Sequence, residues 1–339
     1  MKILTPIMSS EDIDILNPNI YNTEFFCGYL PDWWVDTYNH SGVYTSARNL
    51  STPINNRNGR NANVTNITEL KEIVHKAKMY ETEVFLVLNA KYYPEYVYEN
   101  LKRYIEEVVS AGITRIIVCD IGMINFLQKN YPEIRVSVSC LNQVTNTMAV
   151  KYYAQFQNVD RIVFPRHMSS DEIAQVVTAF PNMEYEFFIF SNKCVYDDGY
   201  CRGVHEFTPI CKDLYFSEYY LRNGSIMDDL QTSHMRANET IYGEWTRNEI
   251  RVKEKGYCTA SFGCTACSLL KLKQYSNIVS VKMSIRGHGV EERLRQVKMA
   301  HEVLMYIRNG NEKKEVQNII CKLYGKENLC EAGMSCIMI

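Results

Sequence analysis

Eight apolar segments recur along the chain, and the intervals between most of them are long enough for a helix. The segments span residues 2–6, 24–29, 84–89, 115–120, 136–140, 161–165, 185–190 and 278–285. Several are continuous apolar runs, which are typical of strands buried on both faces of a parallel sheet. The pattern therefore predicts eight strands, most of them fully buried.

Helical periodicity fills most of the intervals between these strands. The predicted helices span residues 68–80, 95–110, 121–130, 144–155, 170–179 and 290–308. Asn66 or Thr68 suits the N-cap of the first helix, and Asp171 and Glu172 suit the first turn of another. Strands joined by crossover helices predict an α/β fold, a TIM-like (β/α)8 barrel. An open doubly wound sheet is the alternative, although no glycine-rich fingerprint follows the first strand.

Two connections are too long for simple links in a compact barrel. The link between the second and third strands is polar and contains Arg48, Arg57 and Arg60, and the link between the last two strands spans about residues 191–277. Loops of this length usually carry function, and both would lie at the carboxyl rim of the barrel. We expect a barrel over residues 1–308 with this insertion, followed by a charged, cysteine-containing tail over residues 309–339.

Charge and hydropathy narrow the classes of function. The 339 residues include 37 basic and 39 acidic side chains, giving a formal net charge of −2. No overall positive field attracts nucleic acid, although a local basic patch would still do so. The sequence has no apolar run of about 18 residues and no signal-peptide pattern, so we expect a cytoplasmic protein without a membrane span.

The twelve cysteines are unusual for a reducing compartment, where clustered thiols more often mean metal or redox chemistry than disulfides. Half of them lie in the long link between the last two strands: Cys194, Cys201, Cys211, Cys258, Cys264 and Cys267. Four thiolates brought to one point bind either zinc or an iron–sulfur cluster. Because the link has one C-x2-C pair and a wide first spacing, a [4Fe-4S] cluster is favoured over zinc. Buried, inert thiols are the third alternative.

Other cysteines and several polar strand ends complete the set of candidates. Cys27, Cys119 and Cys140 lie in or beside strands and are expected to be buried thiols, whereas Cys321, Cys330 and Cys336 are candidates for a second site. Polar residues at strand ends are candidate catalytic groups: Asn89, Asp120, Asn142 and Arg166. Basic residues suited to a carboxylate or phosphate are candidate substrate-binding groups: Arg57, Arg60, Lys282 and Arg286. Structural salt bridges or loop hydrogen bonds are the alternative for each.

Short motifs in a fixed order resemble the peptidase U32 family over roughly residues 1–300. They are Phe26-Cys-Gly-Tyr-Leu, Ser139-Cys-Leu-Asn-Gln, Phe164-Pro-Arg-His-Met, Phe190-Ser-Asn-Lys-Cys and Val281-Lys-Met-Ser-Ile-Arg-Gly. The resemblance implies an α/β barrel with a four-cysteine [4Fe-4S] cluster. By position it implies the ligands Cys194, Cys201, Cys211 and Cys267. Cys264 is the alternative fourth ligand, and Cys258 is not excluded.

The same resemblance implies a function related to oxygen-independent hydroxylation, as in quinone and RNA modification. The sequence has no nucleophile elbow and no H-E-x-x-H motif, so a peptidase, as the family name suggests, has little support from the residues. We expect an iron–sulfur hydroxylase or redox tailoring enzyme, or one subunit of it with a second U32-like subunit. An RNA-modifying hydroxylase and a non-catalytic electron-transfer or structural partner are the alternatives. The substrate is accordingly a small molecule or RNA.

Overall fold

The computed structural model of the protein describes residues 1–38, 53–57, 60–191, 199, 263–325, 329–330 and 336. Its sheet contains β1 (Lys2–Pro6), β2 (Thr23–Cys27), β3 (Val84–Leu88), β4 (Arg115–Val118), β5 (Arg135–Val138), β6 (Val159–Val163), β7 (Glu184–Ser191), β8 (Gly263–Cys264) and β9 (Ile278–Met283). Strands β1 to β7 pair in sequence order, and β9 pairs with both β7 and β1; all these pairings are parallel. These eight strands therefore close into a barrel, which confirms the predicted TIM-like fold and not the open sheet.

Helices surround the barrel. They are α1 (Glu11–Ile15), α2 (Pro18–Tyr21), α3 (Asp32–Tyr38), α4 (Ile67–Met79), α5 (Tyr98–Ser110), α6 (Ile121–Asn130), α7 (Thr147–Tyr153), α8 (Ser170–Ala179), α9 (Leu269–Leu272), α10 (Val290–Arg308) and α11 (Lys313–Tyr324). Asn66 caps α4 by accepting a hydrogen bond from the backbone of Thr68, and Ser169 and Glu172 form a capping box on α8. The six predicted helices are therefore present, with small differences at their ends. None of the helices within the described residues is long and apolar enough to cross a membrane.

Both faces of the strands are buried. Leu4, Phe26, Phe85, Val87 and Ile117 form a buried cluster inside the barrel. The alternate strand residues pack outward against the helices in a much larger core. This double burial explains why the strands appear in the sequence as continuous apolar runs.

The short strand β8 fixes both ends of the long link at one edge of the barrel. Phe190 pairs with Cys264 and Ser191 pairs with Gly263 in an antiparallel register. The chain therefore leaves the barrel at the carboxyl end of β7 and returns beside it. Most of the predicted cysteine-rich insertion between these points lies outside the described residues.

The segment predicted as a charged tail begins with a helix. In α11, Val316 and Ile320 are buried, and Gly325 ends the helix in a left-handed conformation with φ of 64°. Helix α11 contacts α10 and the 3-10 turn Ala266–Ser268. The first part of this segment is therefore packed against the barrel.

Candidate functional site

The carboxyl ends of four neighbouring strands bring the candidate catalytic residues onto one rim. Asn89 follows β3, Asp120 follows β4, Asn142 follows β5 by a 3-10 turn, and Arg166 follows β6. These strands are adjacent and parallel, so their carboxyl ends meet at one mouth of the barrel. The mouth is where barrel folds place their ligand-binding groups.

The carboxylate of Asp120 holds backbone at this rim. One of its oxygens accepts a hydrogen bond of 2.7 Å from the backbone N–H of Met123, which caps α6. The other accepts one of 3.1 Å from the backbone N–H of Tyr93 in the loop after β3. Both oxygens therefore have a structural partner, and the geometry accounts for Asp120 as a helix cap.

Asn89 and Asn142 differ in what their amides contact. Asn89 Oδ1 accepts a hydrogen bond of 3.0 Å from the backbone N–H of Asn56. This bond holds the polar link between β2 and β3 against the rim. Asn142 Nδ2 donates to the hydroxyl of Tyr153 at 2.9 Å. The buried Oδ1 of Asn142 accepts no hydrogen bond from the residues that the structure describes. An acceptor is therefore available on the Asn142 side chain.

Arg166 lies above the apolar upper end of the barrel. The Cζ atom of its guanidinium lies over the ring of Phe188, 4.7 Å from the ring centroid. Phe188 belongs to a small buried cluster that also contains Leu141, Val163 and two thiols, Cys119 and Cys140. The mouth thus combines a cationic group with an apolar floor, and Cys119 and Cys140 are buried free thiols, as expected.

Two of the candidate substrate-binding arginines meet in a buried polar network beside the mouth. Arg286, 5% exposed, donates to Asn55 Oδ1 at 2.7 Å, and Arg57 donates to the backbone carbonyl of Arg286 at 2.8 Å. Asn55 in turn donates to Asn63 Oδ1 at 2.8 Å. A Cβ atom on Gly28 would lie 2.0 Å from Asn63 Oδ1, so the network rests directly on the backbone at the end of β2.

The other two basic candidates have different surroundings. Arg60 forms an ion pair of 2.7 Å with Asp32, and both side chains are exposed. Lys282 lies inside the barrel, where its Nζ donates to Glu186 at 2.9 Å and lies 4.6 Å from the ring centroid of Phe26. Lys282 is therefore part of the barrel interior, whereas Arg60 lies on the surface.

The candidate metal ligands are only partly within the described residues. Cys194, Cys201, Cys211 and Cys258 lie outside them. Cys264 lies in β8 and Cys267 in the following 3-10 turn, half-buried. Gly199 lies between Cys194 and Cys201 in the sequence, and its carbonyl accepts a hydrogen bond of 2.8 Å from Lys91 Nζ. Because Lys91 follows Asn89 by two residues, the cysteine-bearing link touches the rim after β3.

Cysteines from the C-terminal segment lie beside this turn. Cys336 forms a parallel β-bridge with Cys264, and the Cys330 thiol donates to the backbone carbonyl of Gln317 in α11, 3.8 Å away. Burial raises the pKa of Cys330 to about 12. In the part of the chain that the structure describes, no three His, Cys, Asp or Glu side chains are already arranged to hold a metal ion.

The sequence did not single out Asn55, Asn63 or Lys91. Asn55 and Asn63 lie in the polar, asparagine-rich link between β2 and β3, but the contact of Asn55 with Arg286 joins residues far apart in the chain. Lys91 could have been found, since it follows a strand end by the same reasoning that identified Asn89.

Known proteins similar to this chain are named for tRNA hydroxylation. Over 167 residues it is 25% identical to "tRNA hydroxylation protein P" of Haemophilus influenzae, covering 48% of this chain and 34% of that protein. It is 28% identical over 99 residues to the protein of that name in Escherichia coli, covering 29% of this chain and 22% of that protein. The chain thus spans about a third or less of the length of these relatives.

A match to a family model covers a larger part of the chain than the matches to these relatives do. A solved structure titled as a U32 peptidase is similar at 13% identity with a TM-score of 0.40, covering 57% of this chain and 70% of that one. The model of the family described as "Peptidase family U32" matches residues 37–328. This match extends from the end of α3 to just beyond α11, and so includes nearly the whole rim. The chain therefore belongs to peptidase family U32.

Proposed function

We propose that this protein acts in oxygen-independent hydroxylation, with a [4Fe-4S] cluster bound at the barrel mouth by Cys194, Cys201, Cys211 and Cys267. The relatives named for tRNA hydroxylation support the hydroxylation part of this proposal. The choice of cluster over zinc rests on the cysteine spacing in the long link and on membership of the family.

The observation that carries the proposal is the attachment of the cysteine-bearing link to the rim. Its two ends are paired at Ser191 and Gly263, and its residue 199 is bound by Lys91 near the carboxyl end of β3. Cys267 lies just after β8, at the same edge. We therefore propose that thiolates of this link bind the cluster beside the mouth that Asn142 and Arg166 border, which is where a barrel binds its substrate.

The rim residues suit the binding and orientation of a polar substrate. Arg166 supplies a planar cation for a carboxylate or phosphate, and Asn142 Oδ1 accepts a hydrogen bond from a hydroxyl or amine. Phe188 and Val163 form a floor that excludes water below the reacting atoms. A bound iron–sulfur cluster supplies single-electron transfer at this position.

The ligand assignment is tested by purifying the protein anaerobically and measuring iron, sulfide and absorbance. The chain offers a matched pair of variants, Cys267→Ser and Cys264→Ser, three residues apart. We expect about four irons per chain in the natural protein, as in a [4Fe-4S] cluster, loss of this iron in Cys267→Ser, and its retention in Cys264→Ser.

Other results of this experiment contradict parts of the proposal. The reverse pattern of iron loss would make Cys264 the ligand. Bound zinc in place of iron would remove the electron-transfer role. Iron-free protein that folds and hydroxylates at the full rate would overturn the proposal as a whole.

RNA is the second candidate for the substrate, because the similar relatives are named for tRNA. The formal net charge of −2 gives no overall attraction to RNA, so binding would depend on a local surface. Measured affinity for tRNA that falls steeply with salt would favour this candidate. Affinity that is absent at low salt would favour a small-molecule substrate.

A further inference from the structure

Gly199 of the cysteine-bearing link lies between two side chains of the rim. Its carbonyl accepts a hydrogen bond of 2.8 Å from Lys91 Nζ, in the loop after β3. A Cβ atom on Gly199 would lie 2.3 Å from Cγ of Gln143, in the loop after β5, so the Gly199 backbone packs directly on that side chain. Strand β4 pairs with both β3 and β5, and Gly199 therefore contacts the rim on both sides of β4.

This contact is separate from the two ends of the link. The link leaves the barrel at Ser191 on β7 and returns at Gly263 beside it. Strand β6 lies between β7 and β5, so the loops that Gly199 contacts belong to a different part of the rim. Gly199 is therefore a third point at which the link is attached to the barrel.

We propose that Lys91 and Gln143 are positioning residues, which dock Gly199 on the rim and so hold Cys201 at the mouth of the barrel. Cys201 follows Gly199 by two residues, and two residues span at most about 7 Å. That Cys201 binds the cluster rests on the proposed function, whereas the docking of Gly199 concerns the chain alone.

Lys91 also brings a positive charge to this part of the mouth. Through its bond to the Gly199 carbonyl, the ammonium lies within about 10 Å of the Cα atom of Cys201 for any conformation of the two peptide units between them. This distance is about one Debye length at 0.1 M salt, so the charge is only partly screened. Because a cluster gains negative charge when it is reduced, the Lys91 ammonium stabilises its reduced form and raises its reduction potential.

The docking is tested on the iron-free full chain with an arginine-specific protease, since Arg202 follows Gly199 by three residues. Lys91→Met removes the hydrogen bond, and Lys102→Met, at an exposed position of α5, is the matched control. We expect cleavage after Arg202 to be about fivefold faster in Lys91→Met, the effect of one net hydrogen bond on a local opening equilibrium. Lys91→Arg should restore most of the protection, and Lys102→Met should be cleaved at the natural rate.

Gly199→Ala tests the contact with Gln143 independently. The added methyl group collides with Gln143, so cleavage after Arg202 should again be faster than in the natural protein. In a Gln143→Ala background the same methyl group should accelerate cleavage less, because the colliding atoms are absent. Circular dichroism confirms that each variant folds.

The iron-loaded protein tests the consequence for the cluster. A spectroscopic redox titration should give a more negative potential for Lys91→Met, with Lys91→Arg and Lys102→Met close to the natural value. Unchanged cleavage in Lys91→Met would overturn the docking, and an unchanged potential would overturn the placement of the cluster beside Lys91. Natural protein that binds no iron would instead overturn the proposed function, and the cleavage rates would still decide the docking.

Discussion

Glu24 shows how single residues hold charge inside the barrel. It is 4% exposed and lies 3.0 Å from the guanidinium of Arg161. Arg161 also contacts Glu186, which accepts hydrogen bonds from Ser280 and Lys282. Burial alone would raise the pKa of Glu24, but Arg161 and Lys2 outweigh it and hold that pKa below its ordinary value of 4.5. The ionic network therefore stabilises the folded state as long as Glu24 is ionised.

This pKa shift gives a pH dependence of stability with a defined sign. Because the pKa of Glu24 is lower in the folded state, its contribution is fully present above the ordinary value of 4.5 and is lost as pH falls through the folded-state pKa. The free energy of unfolding from urea titrations should therefore fall as pH decreases below about 4.5. The Glu24→Gln variant should be less stable at pH 7 and show a shallower fall. An equal fall of the free energy of unfolding with pH in the two proteins would show that Glu24 does not cause this pH dependence.

Gly28, directly after β2, is the position at which the buried polar network of Asn55, Asn63 and Arg286 can be tested. A Cβ atom there would lie 2.0 Å from Asn63 Oδ1 and 2.8 Å from Arg286 Nη1, so Gly28→Ala must displace one of these side chains. We expect a loss of about 1–3 kcal/mol in the free energy of unfolding, as for other overpacked sites. Chemical denaturation of the purified variant measures this loss.

The control for Gly28→Ala is a double-mutant cycle with Asn63→Ala, which removes the nearest colliding atom. In the Asn63→Ala background, the added methyl group at residue 28 should cost less than it does in the natural protein. Additive effects of the two substitutions would show that the collision lies elsewhere. The cycle thus separates the contact with Asn63 from a general effect on strand β2.

At the scale of elements, the strands were predictable and the short helices were not. All eight barrel strands were predicted because burial on both faces leaves continuous apolar runs, as in Val84–Leu88. Helix α11 was included in a charged tail because Lys313–Tyr324 buries little more than Val316 and Ile320. Helices α1 and α2 are too short to show a clear period. The hydrophobic pattern therefore predicts the elements with the most buried surface.

The candidate site was predictable to the same extent. Asn89, Asp120, Asn142 and Arg166 were found because a polar residue after a buried run marks a strand end, and parallel strand ends meet at one rim. The network of Asn55 with Arg286 was not found, since it joins residues that only the closed barrel brings together. The sequence also gives no means to distinguish a rim carboxylate that binds substrate from one that caps a helix.

Asp120 is the residue at which this distinction is tested, because it caps α6 and was predicted to be catalytic. Asparagine is as good an N-cap as aspartate but has one acceptor oxygen, so Asp120→Asn should keep the cap and lose the bond to Tyr93, about 1 kcal/mol, whereas Asp120→Ala should lose both, about 2–3 kcal/mol. Thermal or urea unfolding of both variants measures this. If the cap and the bond to Tyr93 are its whole role, Asp120→Asn also keeps the full rate of the proposed hydroxylation. A folded but inactive Asp120→Asn protein would show that the carboxylate takes part in the reaction.

At the scale of the whole molecule, the core that the structure describes is built from the chain on either side of the cysteine-bearing link. The barrel closes through pairings of β1 with β2 and β9, and the described part of the large core lies within residues 1–191 and 263–330. The link joins this core at the antiparallel pairing of Ser191 with Gly263, and its residue 199 is bound by Lys91. We predict that the fold does not require residues 192–262, whereas the proposed cluster requires the three cysteines Cys194, Cys201 and Cys211 within them.

A deletion variant tests this prediction. Ser191 and Gly263 are neighbours on antiparallel strands, so an Asn-Gly turn in place of residues 192–262 can join them as a two-residue hairpin. Shortening the loop lowers the entropic cost of closing it by roughly 3 kcal/mol. The variant should therefore be at least as stable as the iron-free full chain. Circular dichroism and urea unfolding measure the fold, and elemental analysis should find no iron. An unfolded or insoluble variant would mean that the core extends into the link, and the cysteines would then stabilise the fold as well as bind metal.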